Sequence, residues 1–284
     1  MRGIYMEIKQ FEINDKVIDA FNYGFSDYVV PLPYMNREVF INRMIISNCT
    51  KYSCSSICIH DGQVVGVLLA SENENIFMVN ALCVIPEFRG KGAAKLLMND
   101  AVKKSKRKKI VLEVIRENHR AINFYKNMGF EITGNIAYIN GRIEHIRKSK
   151  DISIRDLSIN EIFECQNLID IPVNWQNRIQ CIMTQDFIGK GCFINDEIAG
   201  FIIYTDCGAI NIKQLYVVEN ERLNGIGSNL IYSACKGKGF SSIFIETMEN
   251  KSFFEAIGAK EKIHLYQMEF KKRYLLVGGD FCER

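Results

Sequence analysis

Leu82-Cys83-Val84-Ile85-Pro86-Glu87-Phe88-Arg89-Gly90-Lys91-Gly92-Ala93-Ala94 is an apolar strand that runs through a glycine-rich turn into a helix. Glycines at 90 and 92 allow the backbone to come close to a ligand. The unpaired N–H groups of the helix's first turn then point at that ligand, with the positive end of the helix dipole behind them. Such a cradle suits an anion, and a pyrophosphate fits it. Further on, Asn118-His119-Arg120-Ala121-Ile122-Asn123-Phe124-Tyr125-Lys126-Asn127-Met128-Gly129-Phe130 sets a phenol on a short helix closed by Gly129. A dinucleotide-binding fingerprint needs a third glycine where Lys95 stands, despite Glu113 near its acidic position, and a nucleotide P-loop needs a hydroxyl residue after Gly90-Lys91.

Outside these motifs the chain repeats itself. Ile8-Lys9-Gln10-Phe11 answers Ile154-Arg155-Asp156-Leu157 at a lag of 146, and Asp61 to Gly66 answers Asn195 to Gly200 at 134. Arg89, Gly92 and Ala94 answer Arg222, Gly225 and Gly227 at 133, and Phe124 and Gly129 answer Phe253 and Gly258 at 129. Collinear matches with a slowly falling lag mean two tandem copies, 1–148 and 150–272, followed by a tail at 273–284. Copy one carries twelve extra residues between Phe11 and Asp61, within which Phe21 to Tyr34 is rich in aromatics and proline. Copy two lacks four residues between its cradle and its Phe-Phe pair, where copy one has Asn118.

Composition sets the class. Hydrophobic residues make up 48% and charged residues 24% of 284, as in an ordinary globular protein. No apolar run is long enough to span a membrane and no signal-peptide core follows Met1, so a cytoplasmic location is expected. Ten cysteines fit a reducing compartment, and no Cys-x-x-Cys occurs. Cys54, Cys58 and His60 share a strand face, but the two sulfurs stand roughly 13 Å apart on a strand, too far for one zinc. With Cys49 they read as buried small hydrophobes, and no metal is expected. The run Lys103 to Lys109 reads as the solvated end of the helix after the cradle, so nucleic acid is not expected as a partner. Before residue 151 there are 22 basic and 15 acidic residues, and after it 14 and 18, which favours the first copy as the one that meets an anionic ligand.

A coarse reading places strands near 5–12, 53–59, 63–71, 75–85, 109–115, 131–138 and 142–149, with Asn140-Gly141 as a turn, and helices near 14–22, 36–46, 92–105 and 119–127. Copy two repeats the layout from about residue 152.

A cradle followed by an asparagine, a Phe-Tyr pair and Gly-Phe resembles the GNAT superfamily of N-acetyltransferases, whose members hold acetyl-CoA on an Arg/Gln-x-x-Gly-x-Gly/Ala turn. The resemblance covers nearly the whole chain, as a tandem member with a degenerate second copy. It implies an α/β fold: two GNAT-like domains, each a mixed, mostly antiparallel sheet with a splayed central strand pair and helices on both faces, the two packing on each other. It implies acetyl transfer from CoA to an amine acceptor, with the active site in the first copy. Leu82, Cys83 and Val84 would meet the pantetheine and the thioester carbonyl, Arg89, Gly90, Lys91, Gly92, Ala93 and Ala94 the pyrophosphate, and Asn118 and Phe124 the pantetheine arm. Tyr125 matches the tyrosine that protonates the departing thiolate.

The carboxylate that some relatives place on the strand before the cradle is absent, because Met78 stands there, and Asn80 on the same face would position a water. Glu72, Glu74, Asp27 and His60 would approach only if the fold brings them in. Asp27 and Tyr28, in the aromatic stretch, would contact the acceptor amine. Copy two keeps Arg222 to Gly227 but has Phe254 where Tyr125 stands. A non-catalytic sensor of CoA or acyl-CoA, and an active site in the second copy, are the competing readings.

Overall fold

The computed structural model describes residues 5–143 and 152–271, together with the backbone of 276–277 and 280–281. The chain divides into two compact units, one made of 1–134 and 265–284, the other of 135–264.

Unit one begins with β1 (Glu7–Gln10) and α1 (Asp15–Gly24). The Asn14 side chain caps α1 by accepting from the Val17 N–H at 3.1 Å. Val17, Ile18, Ala20, Phe21 and Gly24 form the buried stripe of α1, at helical spacing. Next comes α2 (Arg37–Phe40), capped by Asn36 and prolonged by a π-helical turn, Ile41–Ile46. The strands β2 (Ser56–His60), β3 (Gln63–Glu72) and β4 (Ile76–Val84) form an antiparallel meander behind β1. α3 (Ala93–Lys104) crosses over to β5 (Lys109–Ile115), which runs parallel to β4. α4 (His119–Asn127) follows, and Gly129, at φ +97°, turns the chain into β6 (Phe130–Arg142).

The core of unit one takes Phe11, Phe21, Phe40, Leu68, Leu69, Leu97 and Met98, none more than 1% exposed. Burying each such side chain contributes roughly 1.5–3 kcal/mol. Gly24 is required by packing: a Cβ there would lie 2.9 Å from both Cβ and Sγ of Cys83, so a side chain would push α1 off β4.

Unit two repeats the order with β7 (Ser153–Asp156), α5 (Ile159–Cys165), α6 (Ile179–Ile182), β8 (Ile188–Ile194), β9 (Glu197–Asp206), β10 (Ile210–Val217), α7 (Ile226–Cys235), β11 (Gly239–Ile245), α8 (Met248–Ala256) and β12 (Lys260–Phe270). Its meander is antiparallel from β7 to β10, and β10 runs parallel to β11. A mixed sheet with helices, as expected, forms each unit.

The boundaries differ from 1–148 and 150–272 because the last strands change hands. In unit one the partner of β5 is the end of β12, with Leu265 opposite Ile115 and Glu269 opposite Val111. In unit two the partner of β11 is the later part of β6, with Ile136 opposite Ile245 and Arg142 opposite Gly239.

β6 also passes straight through Asn140 and Gly141, where a turn was expected between strands at 131–138 and 142–149. Asn140 pairs with Ser241 and Gly141 with Phe240. Glycine is needed at 141 for space, since a Cβ would come within 2.5 Å of the Phe240 ring. Residues 144–149 lie outside the described residues, as does most of the tail, in which Leu276–Val277 pairs with Asp280–Phe281.

Candidate active site

β4 and β5 are paired only from Ile76 opposite Lys109 to Val79 opposite Leu112. At that point β4 bulges: Ala70 faces Val79 and Leu69 faces Ala81, leaving Asn80 as the extra residue. β5 remains with β12, so the two strands part and a cleft of about 580 Å³ opens between them. Leu82, Cys83 and Val84 line one wall, Gly90 and Gly92 to Lys95 the end, Asn118, Phe124 and Tyr125 the other wall, and Phe25, Asp27, Tyr28 and Val29 the rim.

The cradle has the geometry that an anion seat requires. After a 3₁₀ turn at Pro86–Phe88, Gly90 takes φ +74° and Gly92 φ +98°. A Cβ at Gly90 would meet nothing within 4 Å, and one at Gly92 only Met6 Cε at 3.9 Å. The need for glycine here is therefore backbone conformation and ligand approach, and not internal packing. The ladder of α3 starts with the Leu96 N–H donating to Gly92 O at 3.0 Å, leaving the first-turn amides of Ala93 to Lys95 for a ligand. Lys91 stands over the Phe88 ring, 4.9 Å from its centroid.

Arg89 behaves differently from the expectation that it grips the pyrophosphate. Its Nε donates to Val84 O at 3.0 Å, and one terminal nitrogen donates to Gly24 O at 3.0 Å and to Asp27 at 2.7 Å. The other terminal nitrogen also pairs with Asp27. The guanidinium thus ties the end of α1 to the end of β4, and Arg89 holds the Asp27 carboxyl below the usual carboxylate range. Asp27, expected to meet an amine, already has its cation.

Asn80, expected to position a water, donates its amide to Thr50 Oγ1 at 2.9 Å and to Ser71 Oγ, away from the cleft. Asn118 caps α4, accepting from the Ala121 N–H at 3.1 Å, and its side chain also hydrogen-bonds Tyr28. Tyr125 is 8% exposed and packs edge-on against Phe124, with centroids 5.3 Å apart. Burial, then nearby Tyr28 and Cys83, push its phenol well above the ordinary value. Burial likewise pushes the Cys83 thiol up to about 12, so it is an inert wall residue.

Among the carboxylates weighed from sequence, Glu72 pairs with Lys108 at 2.6 Å. His60 is held by Tyr5 O at 2.7 Å and faces Phe88. A further carboxylate, Glu113, lies on β5, one residue beyond the last pair with β4, where no pattern on β4 marks it. Val111 is opposite Met78, so Glu113, two residues on, shares the face on which Met78 fills the expected position.

Cys54 and Cys58 are buried, 3% and 0% exposed, although Cys54 sits in a 3₁₀ turn ahead of β2 rather than on the strand. In the basic run Lys104, Lys108 and Lys109 are each paired with a carboxylate.

Unit two has the same frame with its cleft filled. β10 and β11 are paired only to Ile212 opposite Ser242, and β10 bulges at Lys213. Arg222 Nε donates to Val217 O at 3.0 Å and a terminal nitrogen reaches Asp170 at 3.3 Å, repeating Arg89. Beyond the split, Asn177 donates its amide to Ile243 O at 2.6 Å, while Gln214 donates to Asn177 O at 2.8 Å. Phe254 stacks on Phe244, centroids 4.6 Å apart, and Phe253 lies against Gly227 in the first turn of α7. What remains is a cavity of about 60 Å³.

Three likenesses to solved structures span almost the whole chain. A GCN5-related N-acetyltransferase from Sphaerobacter thermophilus superposes with TM-score 0.70 at 11% identity, covering 93% of this chain and 95% of the other. A tandem GNAT protein from the clavulanic acid biosynthesis pathway gives 0.68 at 12% identity, covering 93% and 98%. A putative acetyltransferase from Pyrococcus horikoshii gives 0.65 at 14%, covering 96% and 92%. At such identities the likeness establishes the fold. Residues 18–130, which hold the open cleft, match the profile of the acetyltransferase (GNAT) family, and the chain as a whole has a fold similar to that of a tandem GNAT protein.

Proposed function

We propose that the chain is a metal-independent, cytoplasmic N-acetyltransferase that moves an acetyl group directly from acetyl-CoA to an amine, using the cleft of unit one. The observation that carries this reading is the joining, in one cleft, of the Gly90–Lys95 amides, the unzipped edge of β4 and two phenols. The pyrophosphate would sit on the first turn of α3, with Lys91 and Lys95 beside it. The pantetheine would run along Leu82 to Val84, where β4 has lost the ladder that β5 gave it. Amides on that edge would stabilise the oxyanion as the amine attacks the thioester carbonyl. A cleft phenol, Tyr125 by family position, would protonate the thiolate as the C–S bond breaks. Glu113, at the apex of the split, would take the proton of the attacking amine, directly or through a water. The acceptor would enter beside the loop after α1. With Asp27 committed to Arg89, that wall offers Phe25 and Tyr28 as aromatic faces. No helix among the described residues is long and apolar enough to cross a membrane, and the cysteines described are free thiols, which supports the cytoplasmic assignment.

The test is release of CoA thiol from acetyl-CoA with polyamines, aminoglycosides, amino acids and peptide N-termini as acceptors. Amine-dependent release in at least one class is expected. Tight CoA binding without release in any class would establish a sensor instead.

A further inference from the structure

Unit two keeps the innermost part of its cleft after losing the cradle. The cavity of about 60 Å³ lies where β10 and β11 separate, just past Ile212 opposite Ser242. It has room for about four waters. Ile169, Val173, Leu215 and Phe244 give it an apolar wall, and the exposed Ile171 marks its open side.

Most of the polar groups that line it are already used. Gln214 and Gln166 exchange amide hydrogen bonds at 3.0 and 3.1 Å, and the Gln214 amide also donates to Asn177 O at 2.8 Å. The Ser242 hydroxyl donates to Ile212 O at 2.9 Å. Two groups are left over. Asn177 is 3% exposed and gives its amide nitrogen to Ile243 O at 2.6 Å, while its Oδ1 is buried with no hydrogen-bond partner among the described residues. Lys213, the bulged residue of β10, is half-buried and makes no ion pair or hydrogen bond among the described residues. Its counterpart at the unit-one bulge, Asn80, is tied to Thr50 and Ser71.

No acidic residue lines the cavity. A buried polar group is costly unless it is paired, and a charge more so. Water would satisfy hydrogen bonds here but would bring no countercharge, and burial holds the Lys213 ammonium below the ordinary lysine pKa. An anionic group supplies the missing partner, and a donor on the same molecule satisfies Asn177 Oδ1. Lys213 would repel an ammonium in that place, so the donor is neutral. With Phe253 against the first turn of α7, no pyrophosphate seat accompanies the cavity, and the ligand is small.

We infer that this cavity is a binding site for a small carboxylate that carries a neutral hydrogen-bond donor, a hydroxy acid in the simplest case, with Lys213 on the carboxylate and Asn177 Oδ1 on the donor. The site belongs to unit two and holds whether or not unit one transfers acetyl groups.

Lactate, propionate and lactamide are the probes, the second lacking the hydroxyl and the third the charge. Saturation-transfer NMR on the full chain should give lactate a dissociation constant on the order of 1 mM. Propionate and lactamide should each bind more weakly by about 10-fold. Lys213→Met should weaken lactate by about 10-fold or more and leave the melting temperature of the ligand-free chain unchanged or higher, because a half-buried unpaired charge is removed. Lactate binding that is unchanged in Lys213→Met, or lactamide bound as tightly as lactate, overturns the site. Propionate bound as tightly as lactate takes Asn177 out of it and overturns the ligand class. No saturable binding by any of the three leaves water alone in the cavity and overturns the proposal outright. If Lys213→Met unfolds, the comparison of lactate with lactamide in the wild type decides by itself.

Discussion

The two clefts of this chain share their scaffold and differ in what fills them. Both follow a strand bulge, at Asn80 and at Lys213, and in both an arginine locks the cradle strand to the preceding helical region. One is open to about 580 Å³ and the other is reduced to about 60 Å³. The difference teaches that splaying two parallel strands leaves unpaired backbone that must be satisfied by something. In unit two Asn177 does it from within the chain. In unit one the edge is left for a ligand. The arginines make the same scaffold contact in both copies, each Nε donating to the strand carbonyl five residues before it.

The most drastic way to break the comparison is to remove the exchanged strand. A chain stopped after His264 takes Tyr266, Met268 and Phe270 from the core of unit one and strips β5 of its partner. Three such side chains are worth on the order of 5–8 kcal/mol, against 5–15 for a whole domain. Unit one should lose cooperative unfolding by circular dichroism, and with it all acetyl-CoA binding. A truncated chain that still binds acetyl-CoA would show that the strand is dispensable.

Next in size is Glu113→Gln, expected to lower kcat/KM by about 10²-fold near neutral pH while the affinity for acetyl-CoA stays unchanged. An unchanged rate would leave deprotonation of the amine to solvent. Asn177→Ala removes the donor to Ile243 O and should destabilise unit two by about 1–3 kcal/mol in urea unfolding. It should create no donor binding there, because Phe253 still covers the first turn of α7.

The smallest effect concerns the turn itself. Leu223 holds φ +66° where unit one has Gly90, and its side chain is fully exposed. Leu223→Gly relieves left-handed strain of about 1–2 kcal/mol, partly offset by the greater freedom glycine gives the unfolded chain, for a net gain of about 0.5 kcal/mol. A loss of stability on that change would mean that the turn is not strained.

Much of this was legible in the sequence, for identifiable reasons. Glycines at 90, 92 and 129 mark positive φ, and α4 spans the residues that its asparagine cap and Gly129 bracket. The repeat was visible because Gly66 and Gly200 are both needed: a Cβ at Gly66 would lie 3.1 Å from Cys83 O, and one at Gly200 2.7 Å from Tyr216 O. Strand exchange was not legible, since each strand carries the same alternation whichever unit it joins. Asn140-Gly141 has the composition of a turn, and only the Phe240 ring against it shows why the glycine is there. Among the site residues, Asp27, Tyr28 and Asn80 were placed by proximity in sequence. Their partners, Arg89, Asn118 and the Thr50–Ser71 pair, come from distant segments that no local pattern links to them.

The central claim is that one cradle is a donor site and the other is closed. Calorimetric titration with acetyl-CoA of the wild type, Gly92→Val and Gly225→Val tests it most directly. A valine cannot hold φ near +98° without strain, and its Cβ would enter the ligand's approach. One site per chain is expected in the wild type, lost in Gly92→Val and retained in Gly225→Val. Two sites, or a single site that survives Gly92→Val and disappears in Gly225→Val, would contradict it.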